Sequence, residues 1–75
     1  MLTTDREDRA DLTVLRLGGQ LDALNAATLE HEAAQLLDAG RVRVVLDMAG
    51  LHLVDSAGVG AIVSLFKKVR SRRGD

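Results

Sequence analysis

Val54-Asp55-Ser56-Ala57-Gly58-Val59-Gly60 is the stretch on which the fold turns. A carboxylate and a hydroxyl lead into small residues, and apolar positions then recur at helical spacing. Val59, Ile62, Val63, Phe66 and Val69 follow i, i+3, i+4, i+7 and i+10, which predicts a helix with these residues on its inner face. Asp55 or Ser56 is the natural N-cap, and Gly74 a plausible stop. Such a start leaves up to four backbone N–H groups without helical partners, and the helix dipole there favours negative charge. Gly58 and Gly60 carry no side chains, so another molecule's backbone or phosphate can come close. A phosphate on Ser56 would bring about −1.5 to −2 charges and three acceptors next to those N–H groups. It would also sit beside Asp55, which repels it. That is the shape of a switch acting at an interface. The plainer reading is a capped helix start with small residues for tight packing.

Upstream, Val42-Arg43-Val44-Val45-Leu46-Asp47 is a β-branched run with apolar groups on both faces, as in a central, mainly parallel strand. Met48 to Val54 reads as a connector from that strand to the motif. Ala23 to Ala39 reads as a helix with Leu29, Ala33, Leu36 and Leu37 on one apolar face. Asp22 is placed to cap its start, and Gly40 is the expected C′ residue. Leu12-Thr13-Val14-Leu15-Arg16-Leu17 reads as a strand closed by a turn at Gly18-Gly19. Strand, helix and strand with short connections give a right-handed crossover unit. A first strand near Leu2–Arg6 is weakly signalled, with Asp8–Asp11 as its hairpin turn.

Seventy-five residues hold one small domain, and such a chain buries roughly 60% of its unfolded surface. There is no cysteine, hence no disulfide framework or thiolate metal site. With Phe66 as the single aromatic, base stacking of the single-strand nucleic-acid binders is nearly excluded. No signal-peptide core is present and no apolar run approaches the ~20 residues needed to span a bilayer. A cytoplasmic location without membrane association is the expectation. Charge is uneven. Residues 1–66 hold five basic and ten acidic side chains, and Lys67, Lys68, Arg70, Arg72 and Arg73 crowd the end. Cations at a helix C-terminus are favoured by the dipole; a nucleic-acid or lipid patch is the competing reading, and no nucleic-acid partner is expected.

Other chemistries fit poorly. No Gly-Lys-Ser/Thr follows the glycines, so there is no P-loop. Val54 stands where a nucleophile elbow needs its first glycine. A serine hydrolase would need His31 or His52 beside Ser56, and no oxyanion hole can be argued. A metal site from His52, Asp47 and Asp55 is weaker still. No enzyme, cofactor or metal is expected.

Three motifs in order carry a resemblance. Leu17-Gly18-Gly19-Gln20-Leu21-Asp22, Val44-Val45-Leu46-Asp47-Met48-Ala49-Gly50-Leu51 and Val54–Gly60 together resemble the STAS domain of bacterial anti-sigma factor antagonists, across about Leu12 to Val69. The resemblance implies an α/β fold, a SpoIIAA-like mixed sheet with helices mainly on one side. It implies binding to an anti-sigma factor serine/threonine kinase and release when that kinase phosphorylates the protein, so that sigma-factor availability and transcription are regulated. A serine phosphatase would reset the switch. By position Ser56 is the phosphate acceptor, and Asp22, Asp55, Ser56, Ala57, Gly58 and Gly60 form the partner-binding set. Ala57 stands where many relatives have a second serine, which leaves one acceptor. The alternative is an unphosphorylated STAS module in a transporter or stress-signalling assembly. Family members usually run on for another strand and helix, so residues 1–75 are expected to be a partial domain. An unpaired sheet edge and an uncovered apolar patch would follow, with a second copy as one way to cover them.

Overall fold

Along β2 (Thr13–Leu21) alternation places Thr13, Leu15, Leu17 and Leu21 on one side of the chain, and all four are buried. That row is the floor of the core in the computed structural model, which describes residues 1–75. β1 (Leu2–Asp8) pairs antiparallel with β2, and β3 (Val44–Val54) pairs parallel with it on the other side. The result is a mixed three-stranded sheet in the order β1-β2-β3. Between β2 and β3 runs α1 (Ala26–Asp38), and α2 (Ser56–Ser71) follows β3. Leu29 and Leu36 of α1 and Ala61 of α2 meet Leu15, Leu17 and Leu21 in one cluster. A second cluster joins Ala33 and Leu37 to Leu65 and Val69. Both helices therefore cover the same face, as an α/β STAS-type sheet requires.

The apolar face of α1 is the expected one: Leu29, Ala33, Leu36 and Leu37. Gly40 has φ 78. The Gly40 N–H donates to the Leu37 carbonyl at 3.0 Å and the Arg41 N–H to that of Leu36 at 2.9 Å, a Schellman closure. α2 closes in the same way, with Arg73, not Gly74, in the left-handed conformation at φ 59. Gly74 answers a different need, since a Cβ there would collide with the Val42 carbonyl. The chain then lies against the start of β3. The Asp75 N–H donates to Val42 at 2.9 Å, and the Val44 N–H donates to Asp75 at 2.7 Å.

Four expectations are corrected. Gly18-Gly19 is not a turn. β2 runs through both: Gly19 takes φ 86 within the strand, and a Cβ there would strike the Met1 carbonyl. Met48–Val54 is not a connector but the second half of β3. Two register shifts, between Arg16 and Gly18 and between Gly19 and Gln20, insert extra residues in β3 and break the alternation that marks a strand. The first strand continues to Asp8, and its turn lies across Arg9–Leu12. The inner face of α2 is Gly58, Ala61, Leu65 and Val69, whereas Val59, Val63 and Phe66 are 51%, 43% and 54% exposed. This helix is apolar over more than half its circumference, so periodicity alone does not say which side is inside.

The sheet's other face is charged. Arg16 on β2 reaches Glu7 at 2.9 Å, Asp5 at 3.4 Å and Asp47 at 3.9 Å. Hydrogen bonds from Arg9 and Arg16 hold the Glu7 carboxyl below its ordinary range, and those from Arg6 and Thr13 do the same for Asp8.

Candidate functional site

The motif closes the C-terminal end of the sheet. β3 ends at Val54, and the Asp55 N–H donates to the Leu21 carbonyl at 3.2 Å, which ties the exit of β3 to the exit of β2. Asp55 is then extended, with φ −91 and ψ −174, and caps α2: Oδ1 accepts from the Gly58 N–H at 2.9 Å. Its other oxygen accepts from the Ala23 N–H at 3.2 Å. One carboxylate thus joins the helix start to the β2–α1 loop. Gly58 is required by packing. A Cβ there would lie 2.5 Å from the Leu21 carbonyl oxygen and 2.9 Å from Val54 Cγ1. Gly60 is not, since a Cβ there meets nothing within 4 Å.

Ser56 is the first residue of α2 and is exposed. Its hydroxyl takes no part in the hydrogen bonds around it. With the Gly58 N–H occupied, the Ser56 and Ala57 N–H groups remain at the helix start without helical acceptors. Ala57 beside it is half-buried and carries no hydroxyl, so the exposed hydroxyl at this helix start is that of Ser56.

Asp22 lies in the adjoining loop but does not cap α1. The helix begins at Ala26, with Asn25 in the N-cap position. Asp22 Oδ1 accepts from the Leu24 N–H at 3.0 Å, and its carbonyl accepts from the Ala26 N–H at 2.8 Å. Asp22 folds the turn that precedes the helix. Sequence reasoning missed Asn25, which locks this turn: Oδ1 accepts from the Asp22 N–H and Nδ2 donates to the Gln20 carbonyl, both at 2.9 Å. The spacing Asp22-x-x-Asn25 was its signal, since both side chains readily bond nearby backbone. The structure therefore brings Asp22, Asp55, Ser56, Ala57, Gly58 and Gly60 to one pole of the molecule. His31 and His52 are exposed and hydrogen-bond to none of them. No trio of His, Asp or Glu is arranged to hold a metal ion, and no helix is long and apolar enough to cross a membrane.

The comparisons with known proteins agree with this geometry. Residues 3–75 match the STAS domain. The chain belongs to the STAS family. Among curated STAS relatives, the putative anti-sigma factor antagonist BtrV of Bordetella bronchiseptica is 35% identical over 74 residues, covering 99% of this chain and 62% of the relative. The crystal structure of an anti-sigma factor antagonist from Mycobacterium paratuberculosis superposes with a TM-score of 0.83 at 22% identity, over 91% of this chain and 58% of that one. The anti-sigma factor antagonist SpoIIAA in its unphosphorylated form gives 0.80 at 20% identity, over 96% and 67%. The chain thus spans about three-fifths of the length of the curated STAS relative that it matches. At these identities the structural likenesses speak for the fold, which is the SpoIIAA-like STAS fold.

Proposed function

We propose that this STAS domain is a non-enzymatic anti-sigma factor antagonist whose binding to an anti-sigma serine/threonine kinase is turned off by phosphorylation of Ser56. The observation that carries the reading is the unengaged Ser56 hydroxyl on the first residue of a capped helix, in the motif and fold shared with such antagonists. Phosphate would meet two effects of opposite sign. The helix start and its outward N–H groups favour an anion, so the fold accepts the group. Asp55 and Asp22 already make the pole acidic, so a kinase surface complementary to the free hydroxyl meets nearly two added charges and a bulkier group. Binding is lost without refolding. In support, SpoIIAA solved in the phosphorylated form matches this chain with a TM-score of 0.79, against 0.80 for the unphosphorylated form. Gly60 fits the same picture: its open surroundings leave room for an approaching partner backbone. A serine phosphatase completes the proposed cycle, and the protein would meet both partners in the cytoplasm.

The deciding experiment incubates the chain with the anti-sigma kinases of its host and labelled ATP. Label on the wild type and none on Ser56→Ala is expected, together with loss of kinase binding once Ser56 is modified. Stable kinase binding that is unchanged by stoichiometric phosphate at Ser56 would overturn the switch. Gly60→Ala separates contact from folding: stability holds or rises, by about 0.5–1 kcal/mol as for glycine in a helix, while kinase binding weakens. Weakened folding with intact binding would place Gly60 in the fold instead.

A further inference from the structure

At 95% exposure Leu24 is the most open of the large apolar side chains. It stands in the loop between β2 and α1. β2 has a neighbour on either side, β1 and β3, so this loop leaves the sheet from its middle strand. The exposure of Leu24 therefore belongs neither to an open sheet edge nor to an unpacked helix flank.

Looseness of the loop does not account for it either. The Ala23 N–H donates to Asp55 at 3.2 Å, the Leu24 N–H to Asp22 Oδ1 at 3.0 Å and the Asn25 N–H to the Asp22 carbonyl at 3.1 Å. Each amide around Leu24 is thus tied down. The Asn25 side chain adds its bonds to the Asp22 N–H and the Gln20 carbonyl, both at 2.9 Å. The isobutyl group takes part in none of this, and a polar side chain would serve the turn equally well. A lone exposed leucine is ordinary in itself. What sets this one apart is its mounting and its place. A side chain carried on a fixed backbone gives up less freedom when a partner buries it. The path from Leu24 to Ser56 runs through Ala23, one hydrogen bond and Asp55. A protein that docks on Ser56 covers about 800 Å² of this surface, which takes in Leu24.

We propose that Leu24 is the apolar anchor of the site, seated in a hydrophobic pocket of the anti-sigma kinase, with Asp22 and Asp55 against a cationic rim of that pocket. The inference rests on the reading of this chain as a kinase-binding antagonist and assigns the residue that supplies its affinity. Leu24 then provides the grip, and Ser56 beside it provides the control.

Titration calorimetry of the chain against the anti-sigma kinases of its host, without ATP so that Ser56 stays free, is the test. Leu24→Ala should weaken binding roughly tenfold or more, the loss expected when a leucine side chain is no longer drawn out of water. Leu24→Met, close in volume, should keep most of the affinity. The denaturation midpoint of Leu24→Ala should stay at that of the wild type, as for other surface substitutions. Wild-type binding that is matched by Leu24→Ala overturns the anchor and leaves the antagonist reading standing. A wild type that binds none of these kinases overturns that reading, and the anchor with it. A midpoint for Leu24→Ala that falls as far as for a buried leucine would put the side chain to work inside the protein and overturn the anchor as well.

Discussion

Along β1 the sequence Leu2-Thr3-Thr4-Asp5-Arg6-Glu7-Asp8 puts four charged side chains into seven residues, whereas the eleven residues of β3 contain one, Asp47. These strands form the two borders of the same sheet. On β1 the charges are held in place: Arg6 reaches Asp8 at 2.8 Å, Arg9 reaches Glu7 at 2.8 Å and Arg16 reaches Glu7 at 2.9 Å. A border of this kind repels unplanned strand pairing. β3 instead exposes Val45, Met48 and Leu53, and Val63 and Phe66 are exposed on the helix that follows it. The contrast teaches that, of the three strands, one border is guarded by paired charge and the other is lined by apolar side chains. The apolar border is the one from which α2 and the serine motif rise.

Both borders lean on β2, so the largest expected effect comes from damage there. Leu21 is fully buried, and its carbonyl receives the Asp55 N–H. Leu21→Ala should cost about 2–5 kcal/mol, as other buried Leu→Ala changes do, and should loosen the site together with the sheet. Chemical denaturation measures the first, and amide exchange at Gly58 reports the second. A loss confined to stability, with the Gly58 amide still protected, would show that the site does not depend on the spine. Next in size, Asp5→Val with Glu7→Val makes the guarded border resemble the apolar one. Concentration-dependent assembly through β1 is expected on light scattering. If the doubly changed chain assembles no further than the wild type, the charges are not what guards β1.

Asp55→Ala comes third. Loss of the cap should cost about 1 kcal/mol, read as a lower denaturation midpoint, and should raise amide exchange at both Gly58 and Ala23. Exchange rising at Gly58 alone would deny the bridge. The smallest effect is acid titration. Glu7 and Asp8 titrate below their ordinary range in the folded chain. Their contribution is therefore complete above the unfolded carboxylate range, near pH 4, and fades as pH falls through their lowered folded values. Amides of β1 should exchange more readily on acidification before those of β3 change. Glu7→Gln should flatten part of that response, and equal loosening at both borders would remove the distinction.

How much of this was legible follows from what each residue had to do. The buried face of α1, though not its start, was read correctly because one side of the helix is apolar and the other polar, so Leu29, Ala33, Leu36 and Leu37 had a single placement. The start of α2 was legible because Asp55 and Ser56 answer local demands, a cap and an exposed first turn, whereas Gly58, read as room for another molecule, is taken up by Leu21 and Val54 of the same chain. β3 was cut short because its two inserted residues interrupt alternation, and Ala49-Gly50 resembles a turn when the partner strand is unseen. The inner face of α2 was misplaced because two apolar flanks compete on one helix. Only the positions of α1 and β2 choose between them. Asn25 escaped for a similar reason, since its partners Gln20 and Asp22 matter only once the turn exists.

The carboxylate of Asp55 touches two amides that lie 32 residues apart in one case and three in the other. Neither half of the chain can hold Ser56 in its final setting alone. A nascent or damaged molecule in which the β2–α1 loop has not met the start of α2 displays a different surface at that serine. An enzyme tuned to the capped helix start would pass such molecules by. If Ser56 is the proposed switch, this joint would admit to the cycle only copies in which the two halves have met.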